Sequence, residues 1–453
     1  MSELLTKRRR LRLRLAFEGV VVGIFTGIVI AAFRFLIDEA EIYRPIYFEF
    51  LKSSQNLLLY LLTVAILIAL AYLLAKFIKI DGQVAGSGIP QIKGILQNKM
   101  QMSRPLRLIF LKFIASTACI SAGMSLGRAG LSVQFGACIG NFFNKLLGRK
   151  SLHNQTSIES KYLLNAGAGA GLAAIFNAPL AGVIFCVEEL QKKFSPEILM
   201  VSMTAAVSAS AVVEFIFGVR PVFEAITPTF NNVPLISSQV TFEMLSTMPP
   251  IKFIICLVIL GTLIGILGAL FTKMLILSLD IYDKIKIGGV KKFLIPSILI
   301  LPIGLIMPKI LGCGNILVDE LLINNFELSM LIILYISKFL FTMFCFGTNA
   351  PGGIFLPLLI LGALSGNIFA NVGVICGFFG TDWTVIFIIL AMAAYFAAVV
   401  KAPITGSVLI MELTGNFYHL LALIIISIVS FLISDIFGGK PAYSALLERS
   451  LRK

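Results

Sequence analysis

Apolar residues run along this chain in long stretches, without the alternation of a half-buried strand or the one-sided spacing of a water-facing helix. Leu57 to Lys76, Phe253 to Phe271, Phe293 to Met307 with its flanks, and Leu420 to Phe437 come near or beyond the roughly 20 residues a membrane-spanning helix needs. We count about ten to fourteen such segments by this hydropathy criterion. Several are short or broken by Gly and Pro, the pattern of helices that stop partway through a bilayer and turn their ends to a polar cavity. The pattern predicts an all-α, polytopic membrane protein with many tilted and broken helices.

Composition sharpens this reading: of the 453 residues 58% are hydrophobic and only 13% charged, which excludes an ordinary soluble domain. The formal net charge of +14 sits mainly at the termini and in short loops. Lys7, Arg8, Arg9, Arg10, Arg12 and Arg14 directly precede the first apolar stretch, so the positive-inside rule places the N-terminus in the cytoplasm. Arg149 with Lys150, Lys192 with Lys193, and Lys284, Lys286, Lys291 and Lys292 mark cytoplasmic loop ends by the same logic. The expected location is the inner (plasma) membrane, with multiple passes and both termini cytoplasmic. No small-residue cleavage site follows the basic run before the next spans, so a cleaved signal peptide is not expected. A nucleic-acid-binding role for the run is set aside because an apolar span begins at once.

The cysteines Cys119, Cys138, Cys186, Cys256, Cys313, Cys345 and Cys376 lie in apolar or Gly-rich surroundings without CxxC spacing. They read as small core residues, with no disulfide frame and no metal site. His153 and His419 are far apart, one in a basic loop and one at the start of an apolar span. Neither supports a metal or catalytic role, and no cofactor or enzymatic activity is expected.

An internal repeat is visible. GACIGNFF from Gly136 matches GALSGNIF from Gly362, an offset of 226 positions, and AAIFNAPLAGVIFCVEEL from Ala173 matches AAVVKAPITGSVLIMEL from Ala397, pairing Pro179 with Pro403 at an offset of 224. The second match also pairs Gly182 with Gly406 and Glu188 with Glu412. We therefore divide the chain into residues 1–225, a linker at 226–250, and residues 251–453. Repeated halves in transporters place the substrate site at their interface, built from helix ends of both.

Three Gly-rich breaks could supply such ends: GSGIP from Gly86 to Pro90, GRAGL from Gly127 to Leu131, and APGGIFLP from Ala350 to Pro357. A helix start leaves about four N–H groups unpaired and carries about half a positive charge. Several aimed at one point bind an anion without a full cation. Each break alone has an ordinary alternative, since such kinks also serve helix packing.

Taken in order, GSGIP, GRxG with VQFG, GGIFLP and the terminal GGKPAYSALL resemble the CLC family of chloride channels and proton/chloride exchangers, over nearly the whole chain and with its bacterial branch in particular. The resemblance implies a fold of two inverted halves and a homodimer whose subunits each hold an anion pathway, with chloride, and in exchangers protons, as the transported ions. No nucleotide-binding CBS pair is expected after the last helix. By motif, the resemblance puts the anion at the Ser87 and Tyr443 hydroxyls and the N–H groups of Ile354 and Phe355, beside Gly353. Taken alone, Tyr443 would read as an interfacial anchor. The gate lies at Gly127, Arg128, Ala129 and Gly130, where coupled relatives carry a glutamate in the place of Ala129 and a proline in the place of Leu131. Alanine cannot be protonated, so the expectation is passive chloride transport uncoupled from protons; the alternative is a coupled proton/chloride antiporter, as a glutamate-bearing parent would be.

Glu189 matches the family's inner proton port; the other reading is a solvated helix end paired with Lys192 and Lys193. Glu188 and Glu412 read as structural. Arg128 and Lys112 either raise the potential of the pathway or satisfy buried carbonyls. A cation-coupled carrier or an intramembrane enzyme would need acids or a nucleophile/base pair near the midplane, and the breaks offer helix starts and hydroxyls instead.

Overall fold

Glycine and proline fix where these helices begin. The computed structural model describes residues 2–148, 158–219, 222–223, 249–285, 288–417 and 419–452. Most of the 226–250 linker, together with Arg149, Lys150, His153 and Lys286, lies outside the described residues. Among the described residues the chain forms seventeen α-helices and no strands.

The first half opens with α1 (Ser2–Ser54) and α2 (Leu57–Ile80). It continues with α3 (Ile89–Leu96), α4 (Pro105–Ala122), α5 (Ala129–Leu146), α6 (Ile158–Phe176), α7 (Pro179–Phe185) and α8 (Pro196–Phe217). The second half repeats the order with α9 (Pro250–Lys284), α10 (Val290–Ile306), α11 (Asn315–Ile323), α12 (Leu328–Gly347), α13 (Phe355–Ile375), α14 (Thr384–Val400), α15 (Pro403–Thr414) and α16 (Leu420–Ile436). A last helix, α17 (Ala442–Leu451), has no counterpart among the described residues.

Eight of these helices are long and apolar enough to cross a membrane, and α15 and α16 are shorter apolar helices. That total sits at the lower end of the expected segments. The apolar run at Leu420 folds as a helix of 17 residues, and several Gly-rich runs are divided between two short helices.

Backbone geometry extends the repeat well beyond the two matched stretches. Gly86 and Gly88 have φ of +68° and +96°, and Gly312 and Gly314, 226 positions later, have +69° and +84°. Both pairs occupy left-handed backbone that a side chain would strain. Gly86 N–H donates to the Asn349 carbonyl at 3.1 Å, and Gly312 N–H to the Gly123 carbonyl at 2.9 Å. Lys112 Nζ donates to the Gln83 carbonyl at 3.3 Å, and its repeat counterpart Lys338 to the carbonyls of Ile310 and Gly312 at 2.8 and 3.0 Å. Of the two roles open to Lys112, the structure therefore shows carbonyl satisfaction.

Two exchanges join the halves. Gly127 and Gly353 form an antiparallel bridge, each N–H donating to the other's carbonyl at 2.6 and 2.7 Å. Glu188 accepts from the N–H groups of Ile404 and Thr405 at the start of α15, at 3.1 and 2.7 Å. Glu412 accepts from Leu180 and Ala181 at the start of α7, at 2.9 and 2.8 Å. Each carboxylate thus caps the first turn of the other half's helix, where carboxylates are favoured.

Glycines also let α5 and α6 touch backbone to backbone. A Cβ on Gly136 would collide with the Gly167 carbonyl oxygen, one on Gly167 with the Gly136 oxygen, and one on Gly171 with the Ser132 oxygen. Small residues permit this approach in membrane helices, where packing replaces the hydrophobic drive. Six of the cysteines are buried as expected; Cys376, just past the end of α13, is exposed because the helix ends at the surface there.

Candidate anion site

Three helix starts meet at the centre of the molecule. Gly88 begins α3, with Pro90 in its first turn where a missing N–H costs nothing. The start of α5 lies against it: a Cβ on Gly130 would sit 2.8 Å from the Ser87 carbonyl oxygen and 3.0 Å from Ser87 Cβ. The start of α13 lies against α5, joined through the Gly127–Gly353 bridge. Ile354 is the capping residue of α13 and Phe355 its first residue, both fully buried. The Phe355 ring stacks on Phe176 of α6 at 5.1 Å and tilts against Phe396 of α14 at 4.7 Å.

Tyr443 enters from α17, which Lys93 ties to α3 by donating from Nζ to Ser444 Oγ at 2.8 Å. Ser87 is 2% and Tyr443 0% exposed, yet Ser87 Oγ and Tyr443 Oη have no hydrogen-bond partner. Buried hydroxyls are rarely left so. A cavity of about 110 Å³ is lined by Ser87 together with Asn349, Lys292 and Arg449. Neutral O–H and N–H donors beside helix starts suit a small anion, and among the described residues no cluster of metal-ligating side chains exists.

The repeat supplies a comparison inside the molecule. Cys313, the counterpart of Ser87, stands at the start of α11, but there Glu41 of α1 fills the cradle. Glu41 Oε1 accepts from the N–H groups of Cys313 and Gly314 at 2.6 and 3.3 Å and from Arg44 at 3.0 Å. The second half thus holds a carboxylate against the same backbone turn whose first-half copy carries the unpartnered Ser87 hydroxyl.

Ala129 is the first residue of α5 and fully buried. Its neighbour Arg128 is 1% exposed and ion-paired with Asp38 of α1. Glu189 lies in a turn of π-helix that ends α7 at Cys186–Gln191. The solvated-end reading fails: Glu189 is 1% exposed and its ion pair is with Lys93 of α3 at 2.5 Å. Its Oε2 has no partner.

Comparison with known proteins decides the family. The model of the family described as voltage gated chloride channel (CLC) matches residues 65–435. The chain belongs to that family. The H(+)/Cl(-) exchange transporter ClcA of Vibrio vulnificus (strain YJ016) is 34% identical over 446 residues, covering 96% of this chain and 90% of the relative. ClcA of Citrobacter koseri is 31% identical over 457 residues, covering 99% and 91%. A solved structure of a slow cyanobacterial Cl−/H+ antiporter superposes with a TM-score of 0.83 at 27% identity, covering 97% of this chain and 98% of that one. The all-helical arrangement is thus that of CLC transporters, and the protein is a multi-pass membrane protein.

Within this CLC chain Ser87, Gly127, Gly130 and Gly353 meet where the starts of α3, α5 and α13 touch, with Arg128, Ala129, Ile354 and Phe355 next to them in sequence, and Tyr443 lies on α17, which packs against α3. Sequence reading passed over Lys93, Asp38 and Glu41. Lys93 carried a signal, being a lone charge six residues after Ser87 in an otherwise apolar turn. Asp38 and Glu41 carried none, because they lie near the end of a long helix among other charged residues.

Proposed function

We propose that this CLC chain carries chloride across the membrane, with the ion held by the Ser87 and Tyr443 hydroxyls and the N–H groups of Ile354 and Phe355. The observation behind this is the pair of buried, unpartnered hydroxyls, Ser87 just before the start of α3 and Tyr443 on α17, the helix packed against α3. Chloride efflux from vesicles reconstituted with the purified chain tests it, and absence of efflux above protein-free vesicles overturns it. Ser87→Ala and Tyr443→Ala should each weaken chloride binding by about fivefold or more, since losing a donor to a buried charge costs about 1–3 kcal/mol. Calorimetric titration with chloride checks this, and unchanged affinity in both removes them from the site.

On coupling, the names of the ClcA relatives favour proton/chloride exchange over the passive transport expected from the gate sequence. In that reading Glu189, buried and with one free oxygen, is the inner proton port. Passive transport retains one specific observation: Ala129, at the start of α5, has no group to protonate. Proton uptake into vesicles under an imposed chloride gradient, with the membrane potential clamped, separates the two. Uphill uptake supports exchange, and chloride flux without it supports the passive mode. The chain is further proposed to lie in the inner membrane with both termini cytoplasmic and to form a homodimer with one pathway per subunit. Cross-linking in lipid that yields monomers alone contradicts the dimer.

A further inference from the structure

A second cavity, of about 600 Å³, lies between the last turns of α2 and the first turn of α10. Its wall combines two kinds of surface. Ile78, Val290 and Phe293 are apolar, while Lys76, Lys79 and Lys292 bring three ammonium groups to the same cleft. Lys76 and Lys79 are exposed and stand three positions apart, one turn of helix, so they share a face of α2. Tyr72, a turn earlier on that face, is 65% exposed, in keeping with the interfacial preference of tyrosine. The cleft therefore sits where a long apolar helix gives way to its charged end, the depth of the lipid headgroups.

Few ligands match an apolar slot rimmed by three cations at that depth. Chloride would gain nothing from the apolar wall, and a soluble anion would leave it in water. A diacyl lipid with an anionic headgroup uses both, since basic pockets between transmembrane helices bind such headgroups, each nearby Lys contributing about 1 kcal/mol. We propose that this cleft binds an anionic phospholipid, its phosphate held by Lys76, Lys79 and Lys292 and an acyl chain laid against Ile78, Val290 and Phe293.

The position links the lipid to ion movement. The cleft is floored by Thr348 and Asn349, and the Asn349 carbonyl holds the Gly86 N–H beside Ser87. Lys292 and Asn349 also line the narrow cavity that reaches Ser87. A phosphate drawn to Lys292 places negative charge beside that cavity and lowers the local chloride concentration. Anionic lipid is then a brake on chloride entry from this side. The binding itself is independent of how transport is coupled.

The test uses the full chain purified in detergent and titrated with phosphatidylglycerol or phosphatidylcholine, with bound lipid counted by native mass spectrometry. Phosphatidylglycerol should be retained at least about tenfold better, as two to three lysines at about 1 kcal/mol each allow. Lys76→Gln with Lys79→Gln should bring the preference below threefold while chloride efflux from phosphatidylcholine vesicles stays at the parent rate, which shows the variant folded. Equal retention of both lipids, or an unchanged preference in the variant, overturns the proposal. Displacement of the lipid by equimolar soluble glycerol phosphate also overturns it, by making the site one for free phosphates. As a second readout, adding phosphatidylglycerol to the vesicles should slow efflux more in the parent than in the Lys76→Gln/Lys79→Gln variant. Equal slowing in the two counts against the assigned lysines.

Discussion

Gly167→Val yields no folded protein. The Gly167 Cα faces the Gly136 carbonyl, and the Gly136 Cα faces the Gly167 carbonyl, so even one methyl group forces α5 and α6 apart. Overpacking in a core that can give costs about 1–3 kcal/mol. Here the obstacle is backbone, which has no rotamer to yield. Separating α5 from α6 also moves the start of α5, and with it Gly127, Ala129 and Gly130, away from Ser87. The measurement is the yield of a single symmetric peak in size-exclusion chromatography after detergent extraction. Gly82→Ala is the control, because a Cβ there meets nothing within 4 Å. Equal yields for the two variants would show that the helices tolerate separation.

The second large effect is expected from Ala129→Glu, which should cut chloride efflux by about thirtyfold near neutral pH. A carboxylate at a helix start gains up to about 2 kcal/mol from the unpaired N–H groups there, and 1.4 kcal/mol is about tenfold in occupancy. Tethering adds an effective concentration of about millimolar or more, so the side chain competes with chloride at all times. Protonation removes the competing charge, so efflux should recover as pH falls through the carboxyl's titration, between about 7 and 4. Efflux measured across that range checks both claims. A variant as fast as the parent at neutral pH would place residue 129 outside the pathway. The outcome is the same in kind for a passive conduit and for an exchanger, because the competitor acts on the anion.

These two substitutions fall on positions of different legibility. Ala129 could be read from the sequence because GRAGL stands in order with GSGIP, APGGIFLP and GGKPAYS. The closeness of α5 and α6 could not, although Gly136 was already noted in the repeat. Apolar periodicity carries little information in a bilayer, where lipid and protein core look alike to a side chain. The α2 and α14 segments are both strongly apolar, but 28% of one and 89% of the other is buried inside the protein. Hydropathy thus identified spans without telling lipid-facing from central ones.

Polar pairs were hidden for a further reason. Lys93 and Glu189 are 96 positions apart, and Arg128 and Asp38 are 90 apart. Local spacing pointed Glu189 to Lys192 and Lys193 instead, and only the packing of α3 against the end of α7 corrects it. The repeat could have been followed further by eye. GSG at Gly86 and GCG at Gly312 keep the 226-residue spacing, and Lys112 and Lys338 keep it as well, yet such short matches gain meaning only once the backbone angles agree.

The crossed carboxylates at Glu188 and Glu412 impose an order on biogenesis. A ribosome makes the start of α7 more than two hundred residues before it makes Glu412, the acceptor for the N–H groups of Leu180 and Ala181. Throughout that interval the nascent first half holds donors without their partner in a medium that supplies few substitutes. Glu188, made early, must likewise wait for Ile404 and Thr405. The first half therefore cannot reach its final form during its own insertion, and closure of the whole molecule is deferred until the last fifty or so residues leave the ribosome.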